Sequence, residues 1–191
     1  MEFHPRLKQV PWVESVKIPF LISYPARFGN RKMEVEAPIN VTDVLPTLMS
    51  LAGLPKPKGI DGENMAQVID HPGLKKDKAA LIMNVSPFIG NVSEYRGIYT
   101  RQHAYVKTLD GPWFLFDNIS DPFQMNNLVN KPEHQKLQEE MEIVLRKELQ
   151  KANDDFRPRQ YYIDKWGYKL KDGAIDYSES AAVQGPAINK K

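Results

Sequence analysis

Few residues of this 191-residue chain combine a reactive type with a useful spacing. There is no cysteine, so there is no disulfide framework and no thiolate metal site. The adjacent carboxylates Asp154-Asp155 close a long helical pattern and read as a solvated helix end. Lys75-Lys76-Asp77-Lys78 is the densest basic run, and a short charge run of this kind reads as a surface loop. His103 falls at the tip of an expected hairpin, where a surface turn histidine is the simplest reading. Trp113, Phe114 and Phe116 read as core in preference to a sugar-stacking platform.

The elements that must position these residues are more legible. Ile18-Pro19-Phe20-Leu21-Ile22 is a continuous apolar run, the pattern of a strand buried on both faces in a parallel sheet. Such a strand needs partners on either side, and no later helix–strand alternation supplies them. Val44, Leu45, Leu48, Leu51 and Ala52 fall on one helical face, with Thr42 or Asp43 as the expected N-cap and Gly53 as the left-handed C-terminal residue. Residues Ala80 to Val85, Tyr95 to Thr100, Ala104 to Thr108 and Trp113 to Phe116 predict an antiparallel sheet of about four strands. Pro132 to Ala152 is the strongest helix, with Leu137, Met141, Val144, Leu145 and Leu149 on its apolar stripe. Phe156 to Leu170 is expected to wrap back on the surface, and Asp172 to Lys191 to be poorly ordered.

Composition sets outer limits. Apolar residues make up 41% and charged residues 26%, ordinary for a globular protein. The net charge is +2 with both signs interspersed, which argues against a nucleic-acid footprint. No apolar run approaches the length of a membrane span. Met1 to Arg6 lacks a basic segment followed by an apolar one, so no signal peptide is expected there. Asn40, Asn84, Asn91 and Asn118 head glycosylation sequons, which turn-forming composition explains.

The most informative stretch is Gly111 to Glu133, a turn, an aromatic strand, an Asp/Asn/Ser-rich turn and a helix start. Its order, Trp-Phe-Leu-Phe-Asp, then Asp121-Pro122, Gln124-Met125, Asn126-Asn127-Leu128 and Pro132-Glu133, resembles the motif near the C-terminus of sulfatases of the alkaline-phosphatase superfamily. Pro11-Trp12-Val13-Glu14-Ser15, Asp43-Val44-Leu45-Pro46-Thr47-Leu48 with Leu51-Ala52-Gly53-Leu54-Pro55, Asp61-Gly62, and Arg96-Gly97-Ile98-Tyr99-Thr100 with His103-Ala104-Tyr105-Val106 are similar to further family segments, in the family's order. Together they cover roughly residues 4 to 168.

The resemblance implies a sulfuric ester hydrolase that acts on a sulfated small molecule or carbohydrate. It implies a formylglycine nucleophile made from Cys or Ser in a Cys/Ser-x-Pro-Ser-Arg motif, with calcium and basic side chains holding the sulfate. Neither the nucleophile motif nor the adjacent-aspartate calcium ligands are in this chain. Ser23-Tyr24-Pro25-Ala26-Arg27 is a near match but has Ala at the fourth position, and it reads as a strand end and turn. By the same resemblance Lys8 stands at a sulfate-binding lysine and His4 at a histidine that hydrogen-bonds the sulfate or leaving oxygen. Pro5 replaces the family's Gly after that histidine. His103 lies in the subdomain that can edge the substrate cleft.

The expected fold is therefore α/β, as an α+β fragment: the end of a mixed sulfatase sheet, then a four-stranded antiparallel sheet packed with a C-terminal helix. The expected division is the end of the catalytic domain at 1–78, the sheet-plus-helix subdomain at 79–170 and a polar tail at 171–191. The expected partner is the missing N-terminal sulfatase portion, without which the chain is expected to be inactive. The family is usually periplasmic, secreted or lysosomal. A non-catalytic module derived from a sulfatase, or part of a superfamily phosphodiesterase, is the alternative.

Overall fold

The computed structural model describes residues 9–30, 32–71, 73–85, 93–172 and 174–176. Its centre is an antiparallel sheet of four strands in chain order: β1 (Ala80–Asn84), β2 (Tyr95–Tyr99), β3 (His103–Thr108) and β4 (Gly111–Asp117). The register runs Ala80 against Tyr99, Tyr99 against Ala104, and Ala104 against Phe116, with an irregularity at Val106/Lys107. Period-2 alternation sends Ile98, Tyr105 and Leu115 to one face and Tyr95, Val106, Phe114 and Phe116 to the other. Helix α5 (Gln135–Lys151), entered through a 3₁₀ turn at Pro132–His134, lays Met141 and Leu145 on the first face. The four-stranded sheet with its helix is as the sequence implies.

The opposite face is covered by the chain's own beginning. Trp12, just before the short helix α1 (Val13–Val16), packs edge-on to Trp113 at 5.3 Å and against Phe114 at 5.6 Å. Strand β2 is thus buried on both sides. Gly97 at its centre faces Val106: a Cβ there would lie 2.5 Å from the Val106 side chain and 2.8 Å from the Tyr105 carbonyl.

The intervening chain holds three more helices, α2 (Pro25–Phe28), α3 (Val41–Leu51) and α4 (Ala66–Asp70). The N-cap of α3 is Asn40 instead of the expected Thr42 or Asp43, and the Asp43 carboxylate reaches back to accept the Asn40 amide at 2.8 Å. Gly53 follows with φ 71°, as expected.

The expected buried strand does not form. Ile18 to Ile22 forms neither strand nor helix, and residues 18–23 make no hydrogen bond with the described residues. A strand without a ladder has no partner for its backbone groups and does not hold as one. Only Ile22 packs inward, against a small cluster of Phe28, Leu51 and Ala66. Ile18 is 68% exposed and Leu21 88%. After α5 the chain forms α6 (Arg159–Trp166) and a short hairpin, β5 (Lys169–Lys171) with β6 (Ala174–Asp176). Among the described residues no helix is long and apolar enough to cross a membrane.

Candidate functional site

His4 and Lys8 lie outside the described residues. The segment that follows them is pinned across the sheet. Asn84, at the end of β1, donates its amide to the Gln9 carbonyl at 3.1 Å. The Tyr99 hydroxyl donates to the Pro11 carbonyl at 2.6 Å. The Val13 amide donates to Gln124 Oε1 at 2.9 Å. Gln124 is buried, with its backbone in the left-handed region at φ 53°, an unusual setting for this residue type. That turn aims its side chain inward, where Nε2 donates to Asn118 Oδ1 at 2.8 Å and reaches the Tyr99 hydroxyl at 3.1 Å. Burial pushes the Tyr99 phenol well above its ordinary range, so it stays protonated and able to donate.

His103 begins β3, directly opposite Asp117. It is half-buried, and burial lowers its pKa against the opposing pull of Asp117 and Glu140. Its imidazole makes no hydrogen bond with the described residues. Burial pushes the Asp117 carboxyl up, but hydrogen bonds from Gln102 and from the Ile119 and Ser120 amides outweigh this and hold it below the usual carboxylate range. Gln9 meets the sheet at Asn84, whereas His103 sits at the other end, beside the Tyr99 end of β2. Four residues of ladder, about 13 Å at 3.3 Å per residue, separate the two ends. The structure thus does not bring His103 together with the chain next to Lys8.

Two features escaped the sequence reading. Asp154 is not solvated: its Oδ2 accepts the fully buried Arg96 Nε at 2.5 Å, and its Oδ1 accepts the Tyr162 hydroxyl at 2.8 Å and the Phe156 amide at 2.7 Å. The Arg96 guanidinium also lies over the Phe156 ring at 4.6 Å. Burial raises the Asp154 pKa, but these hydrogen bonds and the Arg96 charge turn the net shift downward. The second feature is Asp43, buried inside α3. It accepts the Glu63 amide at 2.7 Å and pairs with Lys78 at 3.0 Å. Thr47 donates its hydroxyl to the Asp43 carbonyl at 2.6 Å and accepts the Met65 amide at 2.9 Å. Gly62, with φ 88°, comes so close that a Cβ would lie 2.2 Å from the Thr42 carbonyl oxygen. The Asp-x-x-Pro-Thr and Asp-Gly segments therefore stitch α3 to the following loop.

Between α5 and β3 a shallow groove of about 450 Å³ is lined by Tyr105, Lys107, Gln138, Glu142 and Arg146. Glu142 accepts from Tyr105, Lys107 and Arg146, so both cations of the groove are tied to one carboxylate. Among the described residues no group of three or more His, Asp or Glu side chains could hold a metal ion.

With this geometry in place, comparison with known proteins assigns the class. The family model of the N-sulphoglucosamine sulphohydrolase C-terminal region matches residues 6–155. The chain belongs to the sulfatases, the sulfuric ester hydrolases, and corresponds to their C-terminal portion. An ulvan-active sulfatase of Formosa agariphila is 43% identical over 97% of this chain, which covers 38% of that relative. An endo-4-O-sulfatase of Bacteroides thetaiotaomicron is 28% identical over 73% of this chain and 31% of its own length. A solved structure in complex with its substrate D-glucosamine-2-N,6-O-disulfate superposes with a TM-score of 0.53 at 27% identity, over 62% of this chain and 25% of the other. The chain thus spans well under half the length of these relatives.

Proposed function

We propose that this chain is the C-terminal part of a sulfatase that hydrolyses sulfate esters on a carbohydrate, and that it works only when joined to an N-terminal sulfatase portion. That portion supplies the formylglycine nucleophile and the calcium ligands. The observation that carries this is the exposed apolar surface of residues 18–48. Ile18 to Ser23 makes no hydrogen bond with the described residues and exposes Ile18, Phe20 and Leu21, and α3 turns Val41, Leu45 and Leu48 outward at i, i+4 and i+7. Exposed apolar side chains in this number support a contact with another polypeptide surface. The substrate class is supported by the solved relative bound to a disulfated glucosamine. Residues 1–78 are assigned to the end of the catalytic domain, 79–170 to the C-terminal subdomain and 171–191 to a tail.

Within this scheme Lys8 is a fixed cation for a sulfate oxygen and His4 a hydrogen-bond donor to the sulfate or leaving oxygen. The Asn84, Tyr99 and Gln124 contacts hold the adjoining Gln9–Val13 segment in place for them. His103, at the far end of the sheet, is a separate contact at the cleft edge.

The test is a chimera in which the upstream portion of the Formosa relative precedes this chain. The chimera is expected to release sulfate from a sulfated monosaccharide, while the 191-residue chain alone does not. Lys8→Ala in the chimera is expected to lower kcat/KM by about a hundredfold, the scale of removing one preorganised charge from a developing anion. Metal-dependent turnover by the isolated chain overturns the need for the N-terminal portion. A folded chimera that releases no sulfate overturns the activity.

A further inference from the structure

We propose that Tyr99 is a positioning residue for the sulfatase reaction: acting through the Pro11 carbonyl, its hydroxyl sets where Lys8 presents its charge. This rests on the reading of Lys8 as a sulfate-binding cation, and on the following geometry for the part played by Tyr99.

Residues 9–13 lie against the sheet without joining it as a strand. Pro11 has no amide hydrogen, so the segment cannot add a regular ladder. Side chains make the bonds in place of backbone, and they do so at every second residue. Asn84 Nδ2 donates to the Gln9 carbonyl at 3.1 Å, the Tyr99 hydroxyl donates to the Pro11 carbonyl at 2.6 Å, and the Val13 amide donates to Gln124 Oε1 at 2.9 Å. These partners come from β1, from β2 and from the turn after β4. Pro11 is fully buried, and Trp12 between the last two pins packs on Trp113 and Phe114. Asn84 and Asn118 both head sequons, yet both side chains are engaged in this network, Asn118 Oδ1 by accepting from Gln124 Nε2 at 2.8 Å.

Tyr99 is the node. Its hydroxyl accepts from Gln124 Nε2 at 3.1 Å while it donates to Pro11, and its ring packs beside the cluster of Phe114 and Phe116. A phenylalanine at 99 therefore deletes two bonds of the network and keeps the packing. Ordering Asn84, Tyr99, Asn118 and Gln124 around one short segment costs side-chain entropy, and residues 9–13 carry no candidate site residue of their own. Lys8 precedes Gln9 by one peptide bond, so whatever fixes Gln9 and Pro11 limits where Lys8 can reach. A charge stabilises a developing anion only when held at the right distance, and a displacement of about 1 Å costs about a hundredfold in rate. Loss of one pin out of three is a smaller disturbance of the same kind.

The test uses the chimera, with two readouts. One is acetylation of Lys8 mapped by mass spectrometry, with inorganic sulfate as the protecting ligand. The other is kcat/KM on a sulfated monosaccharide. Sulfate is expected to protect Lys8. Tyr99→Phe is expected to raise the half-protecting sulfate concentration about tenfold and to lower kcat/KM about tenfold. Asn84→Ala, which frees the Gln9 carbonyl, is expected to act in the same direction. In the Lys8→Ala background Tyr99→Phe is expected to add no further loss, because the group it positions is gone, whereas a purely structural tyrosine would multiply the two losses. Tyr105→Phe deletes a hydroxyl that donates to Glu142 at 2.9 Å on the other face of the sheet, and it is expected to leave Lys8 protection unchanged. Losses that multiply, or Lys8 protection that survives Tyr99→Phe in full, overturn the role of Tyr99 and leave the sulfatase reading standing. Sulfate that fails to protect Lys8 in the unaltered chimera overturns the reading of Lys8, and the role of Tyr99 with it. A folded chimera that releases no sulfate, but in which Tyr99→Phe weakens the protection of Lys8 and Tyr105→Phe does not, sinks the activity and supports the positioning.

Discussion

The sheet with α5 and the chain that precedes it treat apolar side chains in opposite ways. In the sheet unit Ile98, Leu115 and Leu145 are wholly excluded from water, drawn from β2, β4 and α5 into one cluster. In the preceding chain Ile18, Leu21, Val41, Leu45 and Leu48 point outward, and the buried apolar residues form two small groups around Phe28 and Met65. Order there comes largely from specific polar links: Asp43 and Thr47 to the loop after α3, and Tyr99 and Gln124 to residues 11–13. One region carries its own core. The other is held in shape by hydrogen bonds while keeping an apolar face free.

The largest effect is expected inside the sheet unit. Arg96→Ala leaves the half-buried Asp154 without its cation and removes the guanidinium from over Phe156. Breaking a buried pair in this way costs about 3–5 kcal/mol. Urea unfolding of the full chain is expected to show that loss, with Arg96→Lys recovering little because a lysine cannot serve Asp154, Tyr162 and two carbonyls together. A loss below about 1 kcal/mol, the value for exposed pairs, would show that the two regions do not differ in this respect.

Gly62→Ala is next, and it acts on the other region. A methyl there meets the Thr42 carbonyl and forces an alanine to φ 88°. Strained backbone of this type costs about 1–3 kcal/mol. Hydrogen exchange is expected to speed up at the Glu63 and Met65 amides and to stay slow in β2 and β3. Uniform acceleration across the chain would mean that the regions unfold as one unit.

How far the sequence exposes this contrast depends on where each residue's partners lie. Strands β1 to β4 and helix α5 are legible because their partners are near in sequence and their periods are clear. The sulfatase resemblance is legible because its motif residues fix loops: Asp43, Gly62 and Gln124 each have a backbone duty that few side chains can perform. Arg96 is not legible as a core residue. On an alternating strand a charged residue beside Tyr95 reads as solvent-facing, and the Asp154 that neutralises it lies 58 residues away. Ile18 to Ile22 misleads in the converse way. Its composition is that of a buried strand, but composition cannot supply a neighbour. His103 is placed at its hairpin correctly, yet its distance from Gln9 depends on which end of the sheet residues 9–13 cross first. No local pattern carries that.

Gln124→Ala is expected to unfasten the two regions from each other. It removes acceptors and donors from the Val13 amide, Asn118 and Tyr99. A buried unpaired group costs about 1–3 kcal/mol. The Val13 amide should lose its exchange protection, and the fluorescence of Trp12 and Trp113 should change as their edge contact opens. Protection retained at Val13 would mean that Trp12 packing alone holds the segment.

Acid should weaken the sheet unit. The Asp154 and Glu142 carboxyls are held below their ordinary values, 3.8 and 4.5, when folded. A lowered folded pKa contributes stability that is fully present above the unfolded value and is lost as pH falls through the folded one. The urea midpoint is therefore expected to be flat near neutrality and to fall below about pH 4.5, where these groups begin to titrate when unfolded. Asp154→Asn should lower stability at pH 7 and flatten the acid-side fall. An unchanged slope in that variant would remove Asp154 from the acid response.

The smallest effect is the sharpest test of the contrast. Leu21→Lys replaces a leucine that is 88% exposed and makes no hydrogen bond through its backbone. Substitutions at such positions change stability by about 0.5 kcal/mol or less. Leu115→Ala, by comparison, opens a cavity in the sheet core and costs about 2–5 kcal/mol. The isolated chain should thus tolerate Leu21→Lys almost silently and bind less of a hydrophobic dye. In the chimera the same lysine would enter the contact with the N-terminal portion, and the loss should become large. A Leu21→Lys cost in the isolated chain that rivals Leu115→Ala would mean that Leu21 is already buried there, and the free apolar face would not exist.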